Sequence, residues 1–429
     1  MEFLSRLRHK HRMLLILAFS LSLAGQGAHA DPTKCVDLYA HVADSSALKN
    51  FSHQSNLWTH TVNWELTKNF QRFQEDPNTV MKMKMVSVPK DEVEVITFGP
   101  VDHRILDKFV KDDHINWPQH PNNTSAEVPY FGKATSGESL DTRYTASRSL
   151  LSFEEDAPPF TIKVGTDFPH KAEYQSAKAL TKDDIEGAVL RQPFLNEVEK
   201  TFKNDDLLVL LPEILVLKHK ATGEGVILRD LSRLDNENIY VTGLSIPYVG
   251  RDIAKANGLE FEEFWAKTYG HQLGRAKARM LLNYGIEMET PNSQNILIEL
   301  TKDMKPTGKV VIRDTVDSWL YRPWVDALHR GDLLGANNEL GWEPRTSLNP
   351  YGSNSIWRFD EAGKDSFSSA GMKKLLTAHD SGWVEEMRNL LGITTTHPSS
   401  IDEMDTLLHT DEGLELIRKY HVKNGLLKL

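Results

Sequence analysis

The residues whose types and spacing suggest chemistry sit at the ends of one predicted hairpin. NILIEL (Asn295–Leu300), a turn through Pro306 and Gly308, and VVIRD (Val310–Asp314) read as two antiparallel strands of aliphatic and β-branched residues joined by turn formers. In an antiparallel register Asn295, entering the outgoing strand, and Asp314, leaving the returning one, fall side by side at the open end. Glu289, Gln294 and Arg313 belong to the same edge. A carboxylate pair, two amides and a guanidinium suit Mg²⁺ and a polyphosphate, with hard oxygens for the ion and a planar fork for the phosphate. Kinase-like phosphotransferases also pair an Asn and an Asp around Mg²⁺. The same residues fit a plainer description, a chain turn at Asn295 and a solvated strand end at Arg313-Asp314, and spacing alone leaves these readings open.

The elements that would position them follow from periodicity. A first hairpin, EILVLK (Glu213–Lys218) and VILRD (Val226–Asp230), turns through Gly223 and Gly225, and like the second it ends in Arg-Asp. Between the hairpins, Phe261–Gly285 predicts one long amphipathic helix with Trp265, Tyr269, Leu273, Met280 and Tyr284 on its core face and Gly285 as its stop. FTIKVGTDF (Phe160–Phe168) alternates like a half-buried strand after the Pro158-Pro159 breaker. The next segment, to Phe202, predicts a helix with Thr181 as N-cap and Asp183 and Asp184 in its first turn. Two further helices are expected, Ala370–Gly392 and Ile401–His421, whereas the His/Asp/Asn-rich run from Asp112 to Ser125 reads as loop. The fold class is α+β, antiparallel sheets flanked by helices. The expected organisation is residues 1–30, an N-terminal region 31–206, and a C-terminal region 207–429 that ends in helices.

Composition narrows the function classes. The chain has 429 residues, 40% hydrophobic and 26% charged, with a net charge of -10 and one cysteine, Cys35. That composition is globular, and a single cysteine rules out an intrachain disulfide or a multi-cysteine metal site. Arg6, Arg8, Lys10 and Arg12 precede an apolar run of about 13 residues, too short to span a bilayer, and Ala28-His29-Ala30 fits a small-x-small cleavage site. The expectation is a signal peptide cleaved after Ala30 and a periplasmic or secreted product. Its loss removes four basic residues and one acidic residue, so the remainder is still more acidic, which argues against nucleic acid as a partner. No membrane span is expected after cleavage. His103, His114, His120 and His170 lack metal-ligand spacing and read as surface or loop residues.

YGIEMETPNSQNILIEL followed by KVVIRDT resembles the palm signature of the NRPS-independent siderophore synthetases, the aerobactin-synthetase family. There a Tyr-Gly-Ile stretch leads into Glu-x-His-x-Gln-Asn, and an Arg-Asp pair follows a hairpin. The likeness runs in order through roughly residues 95 to 320. SRSL (Ser147–Leu150) is similar to the family's Ser-x-Arg-Thr-Leu phosphate loop and TIKV (Thr161–Val164) to its Lys-bearing strand. GVILRD (Gly225–Asp230) is similar to a strand that ends in Leu-Arg-Glu, and GPVDHR (Gly99–Arg104) stands where the family has Pro-Val-His-Pro-Trp-Gln.

The resemblance implies a hand of thumb, fingers and palm. It also implies ATP and Mg²⁺ as cofactors, a polycarboxylate activated as an acyl-adenylate, and capture by an amine or hydroxyl; a homodimer is compatible with it. By the resemblance Arg148, Ser149, Lys163 and Asn295 contact the nucleotide, Glu289 and Asp314 the metal, and Gln294 and Arg313 take catalytic positions. The chain departs from the pattern in several places, among them these three. Ala146 replaces the loop's leading Ser, Pro291 or Asn292 stands where the family has His, and the family's Gly-His-Pro-x-His-Pro segment has no counterpart. These departures and the signal peptide point to the alternative of a non-catalytic exported protein that binds a carboxylate, a siderophore or a protein partner. A kinase-like phosphotransferase is the second alternative.

Overall fold

The computed structural model describes residues 80–427 apart from internal stretches, of which 124–130, 289–292, 335–343 and 349–365 are the longest. The expected signal segment, Cys35 and Glu289 therefore lie outside the described residues. An eight-stranded sheet comprises β1 (Met81–Pro89), β2 (Val93–Thr97), β3 (His114–Pro118), β4 (Thr135–Tyr144), β5 (Ser149–Ser152), β6 (Phe160–Lys163), β10 (Glu213–His219) and β11 (Gly225–Asp230), in the order β2-β10-β11-β6-β5-β4-β1-β3. Between β6 and β10 the chain forms a two-stranded ribbon, β7 (Thr166–Lys171) and β8 (Tyr174–Lys178), then helix α2 (Lys182–Phe202) and strand β9 (Leu208–Leu210). Helix α1 (His103–Phe109) lies between β2 and β3 in the chain.

The first predicted hairpin is β10–β11, with Leu215 opposite Leu228 and Val216 opposite Ile227. Its apolar run is continuous because both faces are covered. Leu215, Leu217, Val226 and Leu228 join one core cluster with Phe109, Trp117 and Ile162. Val216 and Ile227, of opposite parity, pack with Ile185 and Ala188 of α2. The cap predicted for α2 is a full capping box: Thr181 Oγ1 accepts from the Asp184 N–H at 3.2 Å and the Asp184 carboxylate accepts from the Thr181 N–H at 2.9 Å. β10 and β11 lie beyond the 206/207 division in the chain yet pair with β2 and β6, which lie before it.

A four-stranded sheet, β12 (Ile239–Thr242), β14 (Ile296–Leu300), β15 (Pro306–Ile312) and β9, has the order β12-β14-β15-β9. The second hairpin is β14–β15, but its turn falls earlier than predicted. Met304 takes the left-handed conformation (φ 60°), while Pro306 and Gly308 already belong to β15. Short strands β13 (Ile286–Met288), β16 (Ser318–Tyr321) and β17 (Pro344–Arg345) make a third sheet.

Helices α3 (Ile246–Ala256), α4 (Phe261–Trp265), α5 (Gln272–Tyr284), α6 (Arg322–Leu328), α7 (Ser369–Leu391), α8 (Ile401–Leu408) and α9 (Asp411–Lys423) complete the described chain. None of the described helices is long and apolar enough to cross a membrane. The helix predicted over Phe261–Gly285 is α4 and α5 joined by a π-helical stretch, Ala266–His271, and its predicted stripe from Trp265 to Tyr284 is buried throughout. α7 is the helix expected there. The one helix expected over Ile401–His421 is two, because Thr410 caps α9 by accepting from the Gly413 N–H at 3.1 Å. The run read as loop contains β3, whose Ile115, Asn116 and Trp117 are buried, and His120 beyond it is buried as well. That strand has little local signature because its pairing partner, β1, lies about thirty residues away.

Gly285 ends α5 in the left-handed conformation (φ 66°), and a Cβ there would lie 2.3 Å from the Trp324 ring. Gly285→Ala combines backbone strain with a clash in the core and is expected to destabilise the chain by about 2–3 kcal/mol. Calorimetric melting measures this, and an unchanged melting temperature would show that the stop at Gly285 is not required.

Candidate functional site

The site begins with a chain crossing. β9 runs parallel to β15, Leu210 beside Ile312, so the two strands end together. After β9 the chain continues through Leu211 and Pro212 straight into β10 of the other sheet, and the Leu211 N–H donates to the Ile312 carbonyl at 3.0 Å. Glu213 and Asp314 therefore leave adjacent strand ends on the same side. Leu151, Leu211, Leu231, Leu297 and Val311 form an apolar cluster between the sheets. Gln192 of α2 accepts from the Glu213 N–H at 3.2 Å, which fixes the first residue of β10.

Around this crossing the charges converge. Lys163 Nζ, at the end of β6, donates to Asp314 Oδ1 at 2.9 Å. Arg229 Nη2, from β11, donates to the same oxygen at 3.1 Å and to Glu213 Oε1 at 3.1 Å. Glu213 and Arg229 face each other in the β10–β11 register. Glu213 is fully buried, whereas the Asp314 side chain keeps 25% of its exposure and the Lys163 side chain 15%. Asp314 has φ 68°, rare for a residue with a side chain. Departure from the extended conformation turns the chain at the strand end, where the carboxylate meets cations from the other sheet.

The electrostatics split the two carboxylates. Burial opposes the Asp314 charge, but Lys163 and Arg229, with Arg148 adding its charge, outweigh it and hold that carboxyl well below the ordinary carboxylate range. Burial pushes Glu213 the other way, and the Asp314 charge adds to that push against Arg229 and Lys163.

Arg148 and Ser149 enter from the β4–β5 connection. The Ser149 carbonyl accepts from the N–H groups of Thr145 (2.8 Å) and Ala146 (3.0 Å), which closes a tight turn. Ser149 pairs with Lys163 across β5–β6, and the Arg148 carbonyl accepts from the Val164 N–H at 2.9 Å. The sequence-predicted residues Arg148, Ser149, Lys163 and Asp314 are thus brought together.

The palm hairpin differs in detail from the expected geometry. Ile296 pairs with Ile312, so Asn295 lies opposite Arg313, whose N–H donates to the Asn295 carbonyl at 3.0 Å, and not opposite Asp314. The register shifts within the hairpin, between Ile298 and Leu300, and Asn295 itself closes a 3₁₀ turn, Ser293–Asn295, ahead of β14. Gln294 and Arg313 are buried.

Sequence reasoning missed Glu213 and Arg229 as site residues. The signal was present, since both hairpins return on Arg-Asp and the antiparallel register places the first residue of β10 against Arg229. Of the two expected metal ligands, Glu289 lies outside the described residues and Asp314 accepts from two cations, Lys163 and Arg229; no group of three His, Cys, Asp or Glu side chains among the described residues is arranged around a common point. What the arrangement offers chemically is a cationic, partly open patch beside a fixed carboxylate, suited to phosphate oxygens.

This α+β architecture is that of the siderophore synthetases. Aerobactin synthetase IucA of Klebsiella pneumoniae, solved with ATP bound, matches with a TM-score of 0.58 at 15% identity over 89% of this chain and 77% of that one. Aerobactin synthetase IucC of the same organism matches with a TM-score of 0.56 at 13% identity over 82% and 71%. The petrobactin biosynthesis protein AsbB of Bacillus anthracis matches with a TM-score of 0.55 at 14% identity over 92% and 81%. No family model and no curated protein sequence matches the chain. The fold is a divergent form of the siderophore-synthetase fold.

Asp314→Asn leaves Lys163 and Arg229 without their shared counter-charge and is expected to cost about 3 kcal/mol at pH 7. The carboxyl is depressed in the folded state, so its stabilisation is present above the unfolded value near 4 and is lost as pH falls below it. The gap in melting temperature between wild type and Asp314→Asn should therefore shrink from pH 6 towards pH 3. A constant gap would exclude the ion cluster as its cause.

Proposed function

We propose that the protein is an exported, divergent ATP-dependent ligase that joins a polycarboxylate to an amine or hydroxyl through an acyl-adenylate. The observation that carries this reading is the convergence of Arg148, Lys163 and Arg229 around Asp314 at the junction of two sheets, in a fold shared with a synthetase solved with ATP. ATP supplies the electrophilic α-phosphorus and the pyrophosphate leaving group. Arg148 and Lys163 donate to the phosphate oxygens, and Asp314 holds the Lys163 ammonium and the Arg229 fork in place before any ligand arrives. Glu213 anchors Arg229 from beneath. Mg²⁺ belongs to this proposal as a companion of the nucleotide, bound chiefly by the phosphates, because Asp314 is engaged by two cations. Cleavage after Ala30 and a periplasmic or secreted location are part of the same proposal.

A second reading, a non-catalytic exported protein that binds a carboxylate or a siderophore in the same place, is favoured by two features. Asp314 is already engaged by Lys163 and Arg229, and the segment with Pro291 and Asn292 lacks the family's His.

The two readings separate in one experiment on residues 31–429. The ligase reading predicts that Mg²⁺–ATP raises the melting temperature, by linkage worth about 2.7 kcal/mol at 100 times Kd, and that citrate supports ATP–pyrophosphate exchange. Arg148→Ala should remove both effects while leaving the unliganded melt near that of wild type. A shift from citrate alone, with no exchange, would establish the binding protein and contradict the ligase.

A further inference from the structure

A second concentration of chemistry lies apart from the Asp314 cluster and shares no residue with it. A cavity of about 650 Å³ opens between α5, β13, α7 and the start of α8, and Lys277 and His379 are among its lining residues. Lys277 is 7% exposed and His379 1%. They meet because α5 and α7 pack backbone to backbone: a Cβ on Gly274 would lie 2.0 Å from the His379 carbonyl oxygen. Arg275 and Arg279 of α5 clamp Glu386 of α7 at 2.7 and 2.6 Å and hold this packing.

The cavity wall is apolar at Met280, Leu281, Met288 and Trp383. Glu287 from β13 and Asp380 from α7 act on Lys277, and Glu385, Arg388 and Asp402 complete the charged lining. Burial pushes the Lys277 ammonium down to about 7 despite these carboxylates. Burial, with the Lys277 charge, also lowers His379 and keeps its imidazole neutral. His379 Nδ1 lies 2.9 Å from Asp380 Oδ1; an ionised carboxylate only accepts, so Nδ1 carries the proton and Nε2 the lone pair. That buried Nε2 has no hydrogen-bond partner among the described residues.

We propose that this cavity is a second site, which takes a small apolar aldehyde or ketone and holds it on Lys277 as an imine, with His379 as the proton carrier. The Lys277 Nζ lone pair attacks the carbonyl carbon, and the C=O π electrons move to oxygen. His379 Nε2 takes one proton from the nitrogen and passes it to the oxygen, and the carbinolamine forms. It then relays the second N–H proton to the hydroxyl, which leaves as water as the C=N bond forms; amine and carbonyl are consumed and one water is released. An apolar wall favours the neutral amine and the carbonyl compound together.

The test is reductive trapping on the full chain with benzaldehyde and sodium cyanoborohydride, followed by peptide mass spectrometry of every lysine. At pH 7 Lys277 should be benzylated at least about tenfold faster than the exposed lysines. Its rate should level off above about pH 8. His379→Gln should slow trapping at Lys277 and leave the other lysines unchanged, and Lys277→Arg should remove that adduct. The comparison among lysines within the wild-type chain decides the matter even if a variant fails to fold. Labelling of Lys277 no faster than that of exposed lysines, or its absence in the folded chain, overturns the proposal without bearing on nucleotide binding.

Discussion

One carboxylate oxygen, Asp314 Oδ1, accepts from Lys163 and from Arg229 and so ties the end of the four-stranded sheet to the middle of the eight-stranded one. Much of the site's geometry follows from that contact and from the two-residue crossing beside it. Because β9 and β15 are parallel neighbours, the chain can leave one sheet at Leu210 and enter the other at Glu213, and Asp314 leaves at the same level. The apolar cluster of Leu151, Leu211, Leu231, Leu297 and Val311 packs beneath the crossing and excludes water from it. Ionic groups at such a junction are worth keeping only when each has a partner, since desolvation otherwise outweighs the Coulomb attraction.

The same contact sets the chemistry. Asp314 stays ionised under the influence of Lys163, Arg229 and Arg148, while Glu213 a few ångströms deeper is driven towards its neutral form by burial. Pushing two neighbouring carboxyls in opposite directions leaves the cations incompletely neutralised and turns the junction into an anion-attracting patch. The positive φ of Asp314 is the local conformational strain that this arrangement requires.

The parts of this organisation legible in the sequence were those carried by local signals. Both hairpins announced themselves as paired apolar runs, α2 by Thr181 with Asp184, and the end of α5 by Gly285. Strand β3 was hidden because its polar sequence is made strand-like by pairing with the distant β1. The division of the last helix turned on a single cap at Thr410 inside an otherwise helical pattern. Arg148, Ser149, Lys163 and Asp314 were found through ordered short motifs. Arg229 and Glu213 escaped because the shared Arg-Asp ending of the two hairpins does not say which strand follows the crossing, a tertiary fact. The one-residue offset of Asn295 follows a register shift within the hairpin, between Ile298 and Leu300, which spacing did not reveal.

The central claim is that one nucleotide site is shared by the two sheets through Asp314. Hydrogen–deuterium exchange of the full chain with and without Mg²⁺–ATP tests it most directly, because backbone amides report local opening in each sheet separately. The account predicts that ATP slows exchange in residues 145–164 and in residues 311–315 together. Protection confined to one of these segments, or found in neither while ATP binds elsewhere, would contradict it.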